Sequence, residues 1–482
     1  MKLPHIVIAF LISVISVSLV DAQEIEVTPD QGLNAAIDYV KTGAANTIVL
    51  VTDGGVYYTN PFDVTVPMTI KAKAGLSQKP VIVPQGCGAG TFIKLKDDLT
   101  LEGIKIDGKD PATGVYDSVK YAIHVEAKAG SANEKPDVII RNCEFTNIYK
   151  YGDPEFSHDG NVFDITKGAR CGTILFENCK LSNTGDEAIR SINTHKDPVP
   201  LEGKFCTSFT VRNCTFVNIR GTGIKIEGDG DSTNVDPPVL IENLTFDKCQ
   251  RRVIWHRDMY SSVIRNILIT NSIKGNDDFS KSQALITFQS FGTTVSHIDT
   301  FNIVGVKANG DTVTLEYGTF VAEPGTNTHA VRTGTVDTAT IYNYDPQYAD
   351  PDNFDYTIPS DNPILTLGHD GYAIGDRNWT GQIVTGIEDE NHSLPTEYTL
   401  YPNYPNPFNP TTNIKFTLPE SGVYKLTIYN ILGQKVATLF NKELSAGVHS
   451  VMFDASDLSS GVYLYNLSGK KFNKTRKMLL LK

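Results

Sequence analysis

Four short segments carry side chains whose types and spacing could do chemistry: Glu187-Ala-Ile-Arg190, Thr222-Gly-Ile-Lys225-Ile-Glu227, Arg252-Val-Ile-Trp255-His256-Arg257 and Ala284-Leu-Ile-Thr-Phe288. In the first three an isoleucine (Ile189, Ile224, Ile254) precedes a large polar or aromatic residue (Arg190, Lys225, Trp255), the alternation of a strand with one buried face. Arg190, Lys225 and Trp255 then form one outward column, with Arg251, Arg252, His256 and Arg257 close by. The chain holds 43 Lys+Arg against 55 Asp+Glu, a net charge of −12. A basic stripe in such a chain suits an anionic ligand such as a uronate-containing polysaccharide. Acidic residues are near it: Asp186-Glu187 and Glu227-Gly-Asp229-Gly-Asp231. Carboxylates spaced by glycines suit Ca²⁺, so Glu187, Glu227, Asp229 and Asp231 are the expected metal ligands. A cation on a uronate carboxylate acidifies the neighbouring C–H, a base removes that proton, and the glycosidic oxygen leaves. A Lys, Arg or His of the stripe would supply that base; Arg190, Arg252, Trp255 and His256 are expected to bind substrate. A neutral Lys or Arg base demands a strongly perturbed site. The aromatics of the loop Tyr149–Gly160, with Trp255 and Tyr260, are placed to stack on sugar rings.

The elements that must position these residues are repeats. One phrase recurs as Val138-Ile-Ile-Arg-Asn142-Cys-Glu-Phe145, Thr173-Ile-Leu-Phe-Glu-Asn178-Cys-Lys-Leu181 and Phe209-Thr-Val-Arg-Asn213-Cys-Thr-Phe216. It continues as Val239-Leu-Ile-Glu-Asn243-Leu-Thr-Phe246 and Val263-Ile-Arg-Asn266-Ile-Leu-Ile269, with Leu99-Thr-Leu-Glu-Gly103-Ile-Lys-Ile106 as a degenerate early copy. The Asn-to-Asn steps are 36, 35, 30 and 23 residues, the period of a stacked solenoid. Apolar residues sit two before the Asn and one and three after it, so alternation slips by one there. Asn and Gly best tolerate the left-handed backbone of such a bend. The expectation is an all-β chain whose residues 23–380 form a right-handed parallel β-helix. Cys143, Cys179 and Cys214 share a column with Leu244 and Ile267, which reads as core packing; among Cys87, Cys171, Cys206 and Cys249 one disulfide is left open. Asp30–Lys41, with Leu33, Ile37 and Val40 on one face, is expected to be a helix capping the first coil.

The ends read differently. Met1-Lys2, the apolar run Ile6–Val20 and Val20-Asp21-Ala22 make an export signal over residues 1–22. No later stretch is long enough to span a membrane. Residues 381–397 read as a polar linker. From 398 to 482, short alternating strands separated by Gly422, Gly433, Gly447 and Gly461 indicate a small Ig-like β-sandwich. Charge and composition exclude a nucleic-acid binder.

Three resemblances follow. Tyr404-Pro405-Asn406-Pro407, Ile428-Tyr429-Asn430, Gly433, Gly447, Asp457-Leu458, Gly461-Val462-Tyr463 and the final basic/aliphatic strand resemble the type A C-terminal sorting domain of the type IX secretion system. That resemblance implies passage through the outer membrane, partnership with the secretion and sortase machinery, and a product that is secreted or attached to the outer cell surface. Ala349–Trp379 resembles the closing segment of secreted parallel β-helix proteins. The coils resemble the pectate-lyase-like superfamily and, within it, the chondroitinase B/alginate lyase group, which implies a Lys and an Arg on neighbouring coils acting with Ca²⁺ on an acidic polysaccharide; Lys225 and Arg257 are the matching positions. The reading favoured is thus an exported lyase cleaving a uronate-containing glycan by β-elimination. The alternatives are a non-catalytic glycan-binding or adhesive surface protein, and a hydrolase using Asp186/Glu187 with Asp229.

Overall fold

The computed structural model describes residues 24–127, 130–155, 159–165, 168–192, 206–227, 239–260, 262–274, 285–291, 294–306, 312–314, 335–336, 340–380, 398–400, 403, 406, 408–419, 422–444, 447–456, 458–470 and 472–481. The export signal at 1–22, the linker at 381–397, Asp229 and Asp231 lie outside them. The chain divides into two compact units, Met1–Ile383 and Val384–Lys482.

The first unit is a right-handed parallel β-helix. One face is a sheet of eight parallel strands stacked in chain order: Phe62–Val64, Gly90–Leu95, Val119–Val125, Asn161–Ile165, Ile189–Ile192, Ile224–Glu227, Ile254–Tyr260 and Ile286–Phe291. Ile93, Ile123, Phe163, Ile189, Ile224, Ile254 and Ile286 stand in register along it and are all buried. Each such side chain contributes about 1.5–3 kcal/mol by leaving water, and the stacking fixes the register of every rung.

The repeated phrase makes the other two faces, and its Asn is the bend between them. Asn142, Asn178, Asn213, Asn243 and Asn266 have φ of +50 to +56°, and Gly103 has φ +68°. Asn243 Nδ2 donates to Asn213 Oδ1 (3.0 Å) and Asn266 Nδ2 to Asn243 Oδ1 (2.8 Å), so consecutive bends are tied into a ladder. His297 continues the column in a further coil. A second left-handed column, Asn147, Asn183, Asn218, Lys248, Asn271 and Asn302, lies five residues later. Cys214 pairs with Leu244, and Leu244 with Ile267, all buried. All seven cysteines are buried and none is joined in a disulfide, so the bridge left open above is not formed.

The N-terminal helix spans Leu33–Lys41 and buries Leu33, Ala36, Ile37 and Val40; Pro29–Gln31 before it is a separate 3₁₀ turn, because Gly32 at φ +81° breaks the expected continuous helix. At the other end residues 340–380 run as a strap across the outside of the coils. Ile358, Ile364, Leu365, Ala373 and Ile374 pack on Leu268. Tyr356 donates to Asp247 Oδ2 (2.8 Å), and Trp379 Nε1 to Thr215 Oγ1 (2.8 Å).

The second unit is a small Ig-like sandwich of two antiparallel sheets. One holds Thr399–Leu400, Thr411–Leu418 and Gly447–Asp454. The other orders Lys435–Leu444, Gly422–Asn430, Gly461–Gly469 and Phe472–Leu480. Between them lie Phe408, Phe416, Leu426, Ile428, Tyr465, Leu467 and Met478.

Candidate functional site

Each rung of the eight-stranded sheet offers one outward position directly after its buried isoleucine or phenylalanine. In register these positions are Asp63, Lys94, His124, Asp164, Arg190, Lys225, Trp255 and Thr287. Arg190, Lys225 and Trp255 are therefore neighbours across successive coils, in the column the sequence suggested.

Their surroundings are acidic. Asp164 is buried and lies 2.5 Å from Arg190 Nε and 2.9 Å from His124 Nδ1. Glu187 is buried, with Oε1 3.1 Å from Lys225 Nζ and Oε2 3.6 Å from Arg190 Nη1. Tyr121 stacks on His124 with ring centres 4.4 Å apart and lies within 3.5 Å of Arg190 Nη2. Both Lys225 Nζ and the Arg252 guanidinium sit 4.6 Å from the centre of the Trp255 ring. The half-buried indole thus carries two cations, which compete with any sugar for its faces.

Beside Glu187 stands Asp186, partly open to solvent and hydrogen-bonded to it. Burial, the Glu187 hydrogen bond and the Glu187 charge push the Asp186 carboxyl up to about 8. Burial works against ionisation of Glu187 too, but the hydrogen bond from Asp186 and the charges of Lys225 and Arg190 outweigh it and hold Glu187 below its ordinary value. The pair is thus driven in opposite directions, Asp186 up and Glu187 down. Asp186 N donates to Gly160 O (3.2 Å) and Gly221 N to Asp186 O (3.1 Å), so glycines from the coils on both sides flank it.

The remaining expected site residues fall as follows. Arg257 and Glu227 pair in register, two positions beyond Lys225 and Trp255. His256 does not face outward with Trp255: it occupies the column of Ile226, is fully buried, and sets Nε2 2.8 Å from Ser262 Oγ. The strand alternation that turns Trp255 outward turns its successor inward. Of the expected Ca²⁺ ligands with a described side chain there is only Glu187, whose carboxylate already faces two cations. Among the described residues no three His, Cys, Asp or Glu side chains are gathered as a metal requires. The other three expected ligands, Glu227, Asp229 and Asp231, have no described side chain. In the loop before Gly160, Tyr149 packs down against Tyr116 (5.9 Å), while Tyr151 is exposed.

His124, Asp164 and Tyr121 escaped the sequence reading. Counting one residue past the buried Ile123 and Phe163, as past Ile189, would have found the first two.

Residues 403–481 match the family described as the secretion system C-terminal sorting domain. This tail is a type IX sorting domain, and the protein is secreted or attached at the outer cell surface. Among the described residues no helix is long and apolar enough to cross a membrane. No curated protein sequence matches significantly. Among solved structures, the chain is similar to the enzymatically active domain of tailspike protein 4 of bacteriophage CBA120, at 11% identity and a TM-score of 0.21, over 93% of this chain and 66% of that one. This chain thus spans just under two thirds of that domain.

Proposed function

We propose that this secreted protein cleaves the glycosidic bonds of an acidic polysaccharide, with Asp186 and Glu187 as its acid–base pair. What supports this is the hydrogen-bonded pair of adjacent carboxyls, its buried member Glu187 facing Arg190 and Lys225 and the two groups driven in opposite directions. Asp186 gives its proton to the glycosidic oxygen as the C–O bond breaks. The water whose oxygen forms the new bond to the sugar carbon gives its proton back to the hydrogen-bonded pair, which acts as one unit and so recovers the proton Asp186 gave up. Arg190 and Lys225 keep Glu187 ionised, and with exposed Arg251 and with Arg252 they favour an anionic substrate.

The test incubates the full chain with alginate, pectate, chondroitin sulfate and neutral glucans. New reducing ends without ultraviolet absorbance support hydrolysis. Absorbance from unsaturated uronate ends would replace it by elimination, and binding without shortening by a non-catalytic surface role.

Elimination through Lys225 and Arg257, with Ca²⁺ at the Glu227–Asp231 loop, is the second reading, favoured by the in-register run Arg190, Lys225, Trp255. Against it, Lys225 Nζ is already engaged, 3.1 Å from Glu187 Oε1 and 4.6 Å from the centre of the Trp255 ring.

A further inference from the structure

The sorting domain exposes two large aliphatic side chains at one point. Ile431 and Leu432, 71% and 77% exposed, form the tip of the hairpin joining Gly422–Asn430 to Lys435–Leu444. The turn is held firmly. Asn430 Oδ1 accepts from Leu432 N and Gln434 N (both 3.0 Å), Asn430 Nδ2 donates to Gln434 Oε1 (2.8 Å), and Gly433 takes φ +75°. Side chains left in water on a preorganised turn contribute nothing to the core of their own domain, yet lose little freedom when another surface covers them.

Charge supplies a second, independent observation. Residues 398–482 hold ten Lys and Arg against four Asp and Glu, a net +6, so the remainder of the chain carries −18. Exposed Lys435 and Lys442 lie on the strand leaving the tip. A basic domain on an acidic protein is built to meet an acidic surface.

We propose that the Ile431-Leu432 tip is the anchor by which the sorting domain docks on its partner in the secretion machinery, a protein presenting an apolar pocket rimmed by acidic side chains. The tip is the contact the partner desolvates, and Lys435 beside it, with the net positive charge of the domain, steers the approach. This does not depend on the glycan-cleaving reading.

The experiment expresses the full chain in a bacterium that carries this secretion system and measures the fraction reaching the surface or medium. Ile431→Asp/Leu432→Asp should cut that fraction roughly tenfold, as loss of about 1.4 kcal/mol of contact would, while purified protein melts as wild type does. Ile431→Met/Leu432→Met should be exported normally, as should Val423→Asp, which places a charge at another exposed apolar site of the domain. Wild-type export of the Asp pair overturns the proposal. So does equal loss in the Met pair or in Val423→Asp.

Discussion

Lys225 Nζ and Glu187 Oε1 stand 3.1 Å apart although 38 residues separate them, because Glu187 leads into the strand Ile189–Ile192, which pairs with the strand of Lys225 on the adjacent coil. On the hydrolytic reading proposed above, the lysine expected as a reacting base acts instead as a countercharge for this carboxylate. Replacing it separates the two roles. In Lys225→Met, Glu187 loses the cation that helps hold its carboxyl below the ordinary range, so its ionisation moves to higher pH. The acid limb of the pH–rate profile should move upward with it, while activity above that limb falls by less than roughly a hundredfold. If activity instead vanishes at every pH, Lys225 is itself the base.

Asp186 predicts the other limb. Cleavage needs its proton, so activity should decline as pH rises past about 8. Asp186→Asn should lower turnover by roughly 10²–10⁴, the usual worth of a positioned general acid. The same change should raise stability at pH 7 to 8. A carboxyl whose folded value lies above its unfolded value of 3.8 contributes stability that is lost as pH climbs between the two, and an amide has none to lose. A melt showing Asp186→Asn less stable than wild type at pH 8 would contradict this.

The fold was legible because its signals are local. The Asn phrase marks a backbone conformation that few residues tolerate, and Ile189, Ile224 and Ile254 fixed the phase of the site strands. The chemistry was less legible, for two reasons. Charge pairing across coils joins residues far apart in sequence, as with Asp164 and Arg190, and no spacing rule reveals it. Alternation also assigns neighbours to opposite faces, which turns His256 inward beside the outward Trp255. The second left-handed column went unread because Lys248 interrupts its Asn series, and only the backbone angle unites them.

The strap over residues 340–380 should make the solenoid sensitive to pH. Burial raises Asp376 to about 6, against hydrogen bonds from Thr215, Asn378 and Trp379, and raises Asp299 to about 7 against a bond from the Tyr344 backbone. Both bind protons more tightly folded than unfolded. The stability they contribute is complete below about pH 4 and is lost as pH rises through 6 and 7, at up to about 1.4 kcal/mol per pH unit for each group. Thermal melts of the full chain from pH 4 to 8 should show the solenoid transition falling. Asp376→Asn keeps one acceptor for Thr215 and should flatten that slope; an unchanged slope would exclude Asp376 as its source.

Gly221 tests how finely the acid is placed. A Cβ there would meet Asp186 Oδ1 at 2.5 Å, the Asp186 carbonyl carbon at 2.6 Å and Glu187 N at 2.7 Å. Two of those three atoms are backbone, locked into the rung by the 3.1 Å bond from Gly221 N to Asp186 O, so a rotamer change cannot relieve the clash. Gly221→Ala should therefore cost about 1–3 kcal/mol of solenoid stability, as overpacking does. It should also shift the carboxyl pair. If Asp186 is pushed away from Glu187, it loses both the hydrogen bond and the charge that keep it protonated, and the alkaline limb of the pH–rate profile should move down from about 8. Gly371, with no atom within 4 Å of a built Cβ, supplies the comparison: alanine there meets backbone strain alone and should leave the profile where it is. A profile unmoved in Gly221→Ala would mean that the pair does not set the pH dependence.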